Sequence, residues 1–400
     1  MAASPSPRVL LLDAQLRHGV AIVRSLGERG VAVIAAGPTR RFPARFSRHV
    51  EGVARFDPAA ERDPLGALRA LIEERSAEVV IAAGLPGNEL LCRHRDALAP
   101  LVRAPFNDLE QFRTLSNKLA SNELARSLDV PQPRTATLHT PADAGAVAAE
   151  IGFPMVVKSP VDQGTVRYPA NVTELRGFVE EFAAEHPSLV ERGIHPIAQE
   201  YIAGEGHGFY ALADHGRILA HFMHRRLHEV PPSGGASAMA CAYRDPVLLE
   251  LGTRFFTATG WHGVAMVEFK RSARDGRYYL IEVNPKFWGS LALSITAGVD
   301  FPYLLYLMLT GAPLDVVPGA YRDDAVFRWL TMDLAYAAAT RDWGGYVRRF
   351  RDAGVQDDFD RGDPLPTLAL FAKGVAERVP RPATVLPAAA RAPGRRDGRA

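Results

Sequence analysis

The chain has only two cysteines, Cys92 and Cys241, in 400 residues. They stand far apart and in no CxxC or metal-ligand spacing, which excludes a disulfide framework and a thiolate zinc site and fits a reducing compartment. An excess of one charge is missing as well: 47 basic against 45 acidic residues give a formal net charge of +2, so no overall field argues for nucleic acid or an anionic membrane. Nor is there a long apolar run. The longest, around Phe301 to Leu309, falls well short of the roughly 18 residues a membrane span needs, and the start, MAASPSPRVLLLD, lacks a basic region followed by a long apolar stretch. The expectation is a cytoplasmic protein with a small, roughly neutral partner. Asn171-Val172-Thr173 matches a glycosylation sequon, which in such a chain is a chance match. Lysine is scarce too, at positions 118, 158, 270, 286 and 373 only. In a chain that otherwise uses arginine, each lysine is informative, because it offers a compact point charge that arginine does not reproduce.

The chain does have 47% hydrophobic residues, enough for two or three cores of ordinary domain size. Residues 8–36 read as strand, helix, strand: RVLLLDA, then HGVAIVRSLGERG with Gly19, Ile22, Val23 and Leu26 on one helical face, then VAVIAAG. ALRALIEERSAEVVIAAG adds a helix and a buried strand, and LPGNELLCRHRDAL a loop and a helix. This alternation across short glycine-containing turns predicts an α/β domain, a doubly wound parallel sheet over about the first hundred residues. The turn after the first strand, DAQLRHG, is neither GxGxxG nor a P-loop, so the sheet is read as a platform contributing to a substrate cleft. Residues 108–128 read as helical, closed by the prolines of VPQPRT. From about 135 the texture becomes α+β with antiparallel sheets. IGFPMVVKSP, HPIAQEYIAG, GFYALAD, RILAHFMHRRL, GVAMVEFKR and YYLIEVN are strands, most joined by hairpin-like turns, with helices at about 173–185 and 246–259. After Leu314 amphipathic helices are expected, and the Pro-, Ala- and Arg-rich stretch from about 379 is expected to be disordered.

The most informative stretch is YYLIEVNPKFWGS, residues 278–290, an apolar strand that nevertheless carries Glu282 and Asn284. GVAMVEFK and YYLIEVN flank RSARDGR, whose Asp275-Gly276 is a turn signal. With a period of two, Val264, Met266 and Glu268 share one face of the first strand, and Tyr278, Leu280, Glu282 and Asn284 one face of the second. A hairpin pivoting near residue 275 sets Glu268 opposite Glu282, with Cβ atoms roughly 4.5–5.5 Å apart. Two carboxylates on an apolar background either share a proton or hold a cation. The Asn284 amide, a neutral hard oxygen on the same face, favours Mg²⁺, and Mg²⁺ completes its shell from waters and phosphates, so a nucleotide is the natural companion. The bland alternative is a half-solvated hairpin with ordinary charges.

On these residues the chain resembles the ATP-grasp ligases, especially the branch shared by biotin carboxylase, the large chain of carbamoyl-phosphate synthase and the D-alanine and D-aspartate ligases. The likeness covers roughly residues 8–310, and its most specific piece is GWHGVAMVEFKRSARDGRYYLIEVNPKFWGS followed by AGVDFP. It implies that Glu268 binds one Mg²⁺ (or Mn²⁺), that Glu282 bridges two and that Asn284 binds the second. It puts Lys118 at the α-phosphate and makes Lys158 the second phosphate lysine. Gln199, Glu200, Tyr201 and Ile202 look like the hinge that pairs with adenine through the Glu200 carbonyl and Ile202 amide, and Glu205 is the candidate for the ribose hydroxyls. Alternation places Arg225 with Leu219, His221 and Met223, and Arg226 on the opposite face with Phe222. Alignment on the following Glu-Val-Pro makes Arg225 the γ-phosphate cation, with Arg226 or His228 facing the acceptor. His224 is read as a packing or surface residue rather than a base.

Two departures from the family pattern stand out. Lys286 occupies the position where most relatives show Arg after Asn-Pro, supplying charge without the two parallel hydrogen bonds of a guanidinium. The loop SPVDQGTVRYPA holds one glycine, Gly164, with Ser159 and Thr165 nearby, where relatives have a Gly-rich flap, so fewer backbone amides can curl around the β- and γ-phosphates. Trp288 reads equally well as a wall of the acceptor pocket and as core.

The resemblance implies an ADP-forming carboxylate-amine ligase. ATP activates a carboxylate as an acyl phosphate, an amine-type nucleophile attacks it, and phosphate leaves. Positioning and charge carry such a reaction, in keeping with the lack of a convincing Ser-His-Asp or Cys-His pattern. The rivals are a bicarbonate-phosphorylating carboxylase or carbamoyl-phosphate-type enzyme, a catalytically inactive ATP-binding regulatory protein, and a glycosyltransferase, which leaves Glu268, Glu282 and Asn284 unexplained. The organisation expected is a Rossmann-like pre-ATP-grasp domain over 1–107 and an ATP-grasp domain over 108–314, with an ATP-lid subdomain at about 135–203. A helical extension over 315–378 and a disordered tail over 379–400 follow. The partners expected are a small-molecule carboxylate and an amine-type acceptor, with no nucleic acid and no membrane, and a homodimer is allowed.

Overall fold

Four short segments rich in Val, Ile, Leu and Ala form the first sheet: β1 (Val9–Leu12), β2 (Val33–Gly37), β3 (Val50–Arg55) and β4 (Val79–Ala82), all parallel, in the order β3-β2-β1-β4. Successive side chains leave a strand on opposite faces, so Val9 and Leu11 enter one core while Leu10 and Leu12 enter another. Helix Arg17–Gly27 fills the first core through Val20, Ile22, Val23 and Leu26, and helix Pro64–Arg75 the second through Leu68, Leu71 and Ile72. Burial on both faces is why these strands read as continuous apolar runs. The sequence reading passed over β3, an edge strand whose exposed Glu51 and Arg55 and whose Gly52 dilute the pattern.

The structure, a computed structural model, describes residues 6–161, 166–232 and 234–377. Gly164 and Thr165 of the flap loop and the tail expected over 379–400 lie outside the described residues. By its contacts the chain divides into two units. Within the described residues the first takes 6–113, 208–267 and 284–377, and the second 114–207 and 268–283.

In the second unit, β5 (Thr135–Thr137), β6 (Met155–Lys158) and β7 (Ile197–Glu200) pair antiparallel in the order β5-β7-β6. They share a core with helices Ala144–Ile151 and Val172–Glu185, built on Leu138, Val147, Val157, Leu175 and Phe178. Asn171 of the apparent sequon is the N-cap of the latter helix. Its Oδ1 accepts the Glu174 N–H at 2.9 Å, and the Glu174 carboxylate accepts the Ala170 N–H at 2.9 Å. The helix expected over 108–128 is in fact two, Leu109–Ser116 and Lys118–Ser127. Asn117 breaks it because its side chain serves better as a cap, accepting the N–H groups of Leu119 and Ala120 at 2.9 and 3.1 Å.

The remaining strands are β8 (Gly204–Asp214), β9 (Arg217–Val230), β10 (Ala236–Ala242), β11 (Gly263–Ser272), β12 (Tyr278–Asn284), β13 (Val326–Arg328) and β14 (Val355–Asp357), hydrogen-bonded in the order β12-β11-β8-β9-β10-β13-β14. The extension after residue 314 is therefore not only helical. It adds β13 and β14 to a sheet as well as helices Leu330–Thr340, Trp343–Arg349 and Pro364–Glu377. Strands of three residues are too short to show a period of two. A buried polar network secures this region: the Arg349 guanidinium donates to Asp333 at 2.9 Å, and the wholly buried Arg328 donates to Asp357 at 3.1 Å. No helix among the described residues is long and apolar enough to cross a membrane.

Asp363, just before helix Pro364–Glu377, ties the end of the described chain to the first helix. Its buried carboxylate accepts bonds from Arg24 Nε (3.0 Å), the Ser47 hydroxyl (2.7 Å) and the Arg48 N–H (2.9 Å). Burial alone would raise this carboxyl, but those three bonds pull it below its ordinary value. A lowered carboxyl contributes stability that is complete at neutral pH and is lost as pH falls through its folded-state pKa. Asp363→Ala, which leaves Arg24 without that partner, is expected to cost about 3 kcal/mol in urea unfolding at pH 7, with the deficit shrinking below about pH 4.

Candidate functional site

In the second unit two carboxylates and three lysines converge. Glu268 lies on β11 and Glu282 on β12, strands joined by the Asp275-Gly276 turn. The turn closes as its residues require. Ser272 N–H donates to Arg277 O and Gly276 N–H to Ser272 O, both at 2.9 Å, and Gly276 takes the left-handed conformation (φ 71°) that glycine adopts at no steric cost. The Arg277 N–H, received by Asp275 Oδ1 at 3.1 Å, is the chief reason the Asp275 carboxyl falls to about 2.

Lys118 Nζ lies 3.5 Å from Glu282 Oε2. Lys118 is the first residue of the helix capped by Asn117, and its own N–H donates to Pro160 O at 2.7 Å, which fixes its height beside β6. Lys158 ends β6 and is buried. Burial is the largest of several influences that together bring its ammonium down to about 8. Lys118 and Lys270 act in the same direction as burial, and Glu282 and Glu268 against it. Both glutamates and both other lysines therefore act on one buried ammonium. The sequence reading did not select Lys270. The signal was available: it is one of five lysines and lies two residues beyond Glu268, on the same face of β11.

Lys270 Nζ also stands 5.4 Å from the centre of the Tyr201 ring, which packs edge-on against Tyr168. Gln199 is buried and donates to Thr135 Oγ1 at 3.1 Å, and Glu200 accepts Arg134 Nε at 3.1 Å, so their side chains are engaged within the unit. The resemblance calls on backbone atoms at Glu200 and Ile202; the Ile202 side chain is buried. The exposed Glu205 carboxylate lies 3.9 Å from Nε2 of the buried His207.

In the first unit, Asn284 ends β12, and Lys286 bears on two buried groups beyond the ends of β1 and β4. Asp13 accepts the N–H groups of Gly84 and Gly87 at 3.1 and 3.0 Å. Burial nevertheless raises its carboxyl, against the lowering effect of those bonds and of Lys286. His18 Nε2 lies 2.8 Å from Ala83 O; burial, ahead of Lys286 and Arg17, drives it down to about 3, so the ring is neutral. These are the carboxyl ends of parallel strands, where such sheets hold ligands. The sequence reading singled out neither residue, although an aspartate directly after an apolar strand is a visible sign.

Arg225 and Arg226 register with Cys241 and Ala240 of β10 and so leave β9 on opposite faces, as alternation predicted. Arg226 is engaged by its own hairpin, donating to Glu229 at 3.2 Å and Gly235 O at 2.9 Å, while Arg225 lies 5.9 Å from the Tyr243 ring. His228 Nδ1 lies 3.1 Å from Asp333, and its ring stacks on Tyr336 at 4.0 Å. His224 is wholly buried against Tyr210, whose hydroxyl is 2.6 Å from Nε2, so it packs and is not a surface residue. Trp288, 3% exposed and packed on Tyr210 and Phe301, falls on the core side of its two readings.

Residues 196–332 match a family model described as ATP-grasp in the biosynthetic pathway with Ter operon. A D-alanine–D-alanine ligase of Ectopseudomonas mendocina (strain ymp) is 30% identical over 215 residues, 48% of this chain and 64% of that protein. A D-aspartate ligase of Enterococcus faecium (strain Aus0004) is 25% identical over 269 residues, 60% of this chain and 62% of that protein. The chain thus spans less than two thirds of either relative. Among solved structures, the biotin carboxylase domain of the Hydrogenobacter thermophilus 2-oxoglutarate carboxylase, in complex with MgADP, ADP and bicarbonate, matches with a TM-score of 0.64. That match covers 80% of this chain and 73% of that one at 19% identity, a likeness of fold. The matched segment holds Glu268, Glu282 and Asn284, and the architecture joins a parallel N-terminal sheet to mixed and antiparallel ones. By the family model, residues 196–332 thus belong to an ATP-grasp family domain.

Proposed function

We propose that this protein is an ATP-dependent, ADP-forming ligase that activates a small-molecule carboxylate as an acyl phosphate for attack by an amine. The observation that carries the reading is the convergence of Glu268 and Glu282 with Lys118, Lys158 and Lys270 in the second unit. A bare cation would meet the lysines, and a bare anion would meet the carboxylates. A triphosphate carrying divalent ions satisfies both sets of charges at once.

The donors fit the ion. They are all hard oxygens, the carboxylates of Glu268 and Glu282 and, two residues on, the amide of Asn284, a set suited to Mg²⁺ or Mn²⁺ and not to a thiophilic metal. When bound there, such an ion supplies charge neutralisation for phosphoryl transfer. The chain's own groups do the rest. Lys118 and Lys158 hold phosphates, and we add Lys270 to them. The Gln199–Ile202 backbone holds the base and Glu205 the ribose. Arg225 balances charge on the γ-phosphate as the substrate carboxylate oxygen attacks phosphorus and ADP leaves, and Lys286 holds the acyl phosphate. The amine then attacks the acyl carbon, phosphate departs, and the amine's proton needs an acceptor. We assign that part to His228, which Asp333 orients as a carboxylate orients an imidazole base elsewhere.

This reading keeps residues 1–107 as a pre-ATP-grasp domain, 108–314 as the ATP-grasp domain with its lid at about 135–203, and 315–378 as an extension that supplies Asp333. It also takes the enzyme to be cytoplasmic.

Phosphate release screened against pooled carboxylates and amines, with mass spectrometry of the products, tests the proposal. Glu282→Gln is expected to lower turnover by on the order of a thousandfold while the melting temperature stays within a few degrees; undiminished turnover in that variant refutes the metal assignment. A second expectation comes from Lys158. Its ammonium is charged below about pH 8, so affinity for a non-hydrolysable ATP analogue should weaken by up to about tenfold per unit as pH rises from 8 to 9.5. In calorimetric titrations Lys158→Arg should flatten that slope, and an equal slope in both proteins would remove Lys158 from the phosphate site.

A further inference from the structure

Where β8 turns into β9, three side chains of the first unit bring metal-binding atoms within 4.8 Å of one another. Asp214 ends β8, His215 occupies the turn in a left-handed conformation (φ 48°), and His262 immediately precedes β11. Backbone bonds hold them in place. Gly216 N–H donates to Trp261 O at 2.8 Å, tying the turn to the segment that carries His262. Asn107 then grips His262 from both sides, accepting its N–H at 2.9 Å and donating to its carbonyl at 2.7 Å.

An ordinary histidine-aspartate ion pair does not account for this trio. His262 Nδ1 lies 3.2 Å from Asp214 Oδ1, but that pairing leaves out His215. The His215 and His262 rings stack with centroids 4.5 Å apart and planes 18° from parallel, an arrangement that two imidazolium ions would oppose. We infer that Asp214, His215 and His262 form a further metal site, a two-histidine, one-carboxylate set for a borderline ion such as Zn²⁺, with its remaining position left to water.

The geometry is close to what such an ion requires. With bonds of about 2.0–2.1 Å, a tetrahedral centre spaces its donor atoms about 3.4 Å apart. Asp214 and His262 already have nearly that spacing, and the exposed His215 ring lies within 4.8 Å of both. Asp214 Oδ2 receives Arg217 at 3.2 Å, an outer contact that orients the carboxylate and leaves Oδ1 toward the histidines. These donors differ in kind from the all-oxygen set of the hairpin, so the two sites should sort ions by softness.

The test uses the full chain, stripped with a chelator and free of nucleotide, titrated at pH 7.5 with Zn²⁺ by calorimetry and with Co²⁺ by visible absorption. The inference expects one tight Zn²⁺ per chain that raises the melting temperature, survives in Glu282→Gln, and weakens at least about tenfold in His215→Asn and His262→Gln. His215→Asn is the safer variant, because asparagine tolerates the left-handed backbone and the position is exposed. Zinc affinity unchanged in both histidine variants overturns the inference. So does a zinc site abolished by Glu282→Gln alone, since that ion would be seated on the hairpin carboxylates.

Discussion

The second unit depends on what surrounds one buried ammonium. Lys158 sits at the end of β6 with almost no access to water, and nothing in its own strand compensates it. The compensation comes from Glu282 and Glu268 on the hairpin, and Lys118 stands 3.5 Å from Glu282. Near a protein surface each such pairing is worth on the order of 4 kcal/mol at 4 Å, attractive or repulsive. Two carboxylates meet three lysines, so the set carries a surplus positive charge. Lys118 and Lys270 both repel the Lys158 ammonium. On the proposed function, an anionic ligand bearing divalent cations would meet both the lysines and the carboxylates, which is the sense in which a site is organised before its ligand arrives.

Regular structure holds these charges, and that is what lets them be placed so closely. Lys158 and Glu282 are on strands, Lys118 is fixed at the first position of a helix by the Asn117 cap, and the hairpin's turn is closed by Gly276 and Asp275. The first unit uses a different device for the same end. His228 is aimed by Asp333, and Asp333 is itself held by Arg349 with Arg328 close by, a buried ionic network contributed by the segment after residue 314. Buried charge of this kind adds little net stability, but it allows few alternative arrangements, so its natural return is a fixed direction for His228.

Much of this was written plainly in the sequence because local chemistry and pattern agree. The Asp275-Gly276 turn, the alternation that puts Glu282 among apolar residues, and the opposite faces of Arg225 and Arg226 all follow from spacing alone, and the hairpin could be inferred from them. What escaped is what depends on distance along the chain or on elements too small to have a period. His228 and Asp333 meet across 105 residues, and no spacing rule connects them. β13 and β14 have three residues each. The break at Asn117 turns on a side chain that serves a cap better than a helix interior, a choice that helical periodicity averages away. Asp13 and His18 stand in a stretch that carries no nucleotide-binding pattern, and only the fold sets Lys286 to bear on them. Lys270 was legible by its rarity, but rarity without a partner names no role.

Lysine at 286 also bears on selectivity. An arginine there would present a rigid fork that grips a carboxylate in one plane, whereas a lysine presents one rotatable point charge. Its neighbours sharpen the difference. Asp13, raised by burial and already bonded to Gly84 and Gly87, opposes it only partly, and neutral His18 adds no charge. Trp288, which could have shaped a pocket beside it, is committed to the core with Tyr210 and Phe301. The residue following Asn-Pro thus attracts an anion without specifying its orientation. On the proposed function, discrimination between carboxylates would come from side chains with fixed directions, such as the buried Asp13 at the strand ends and His228 on its carboxylate support.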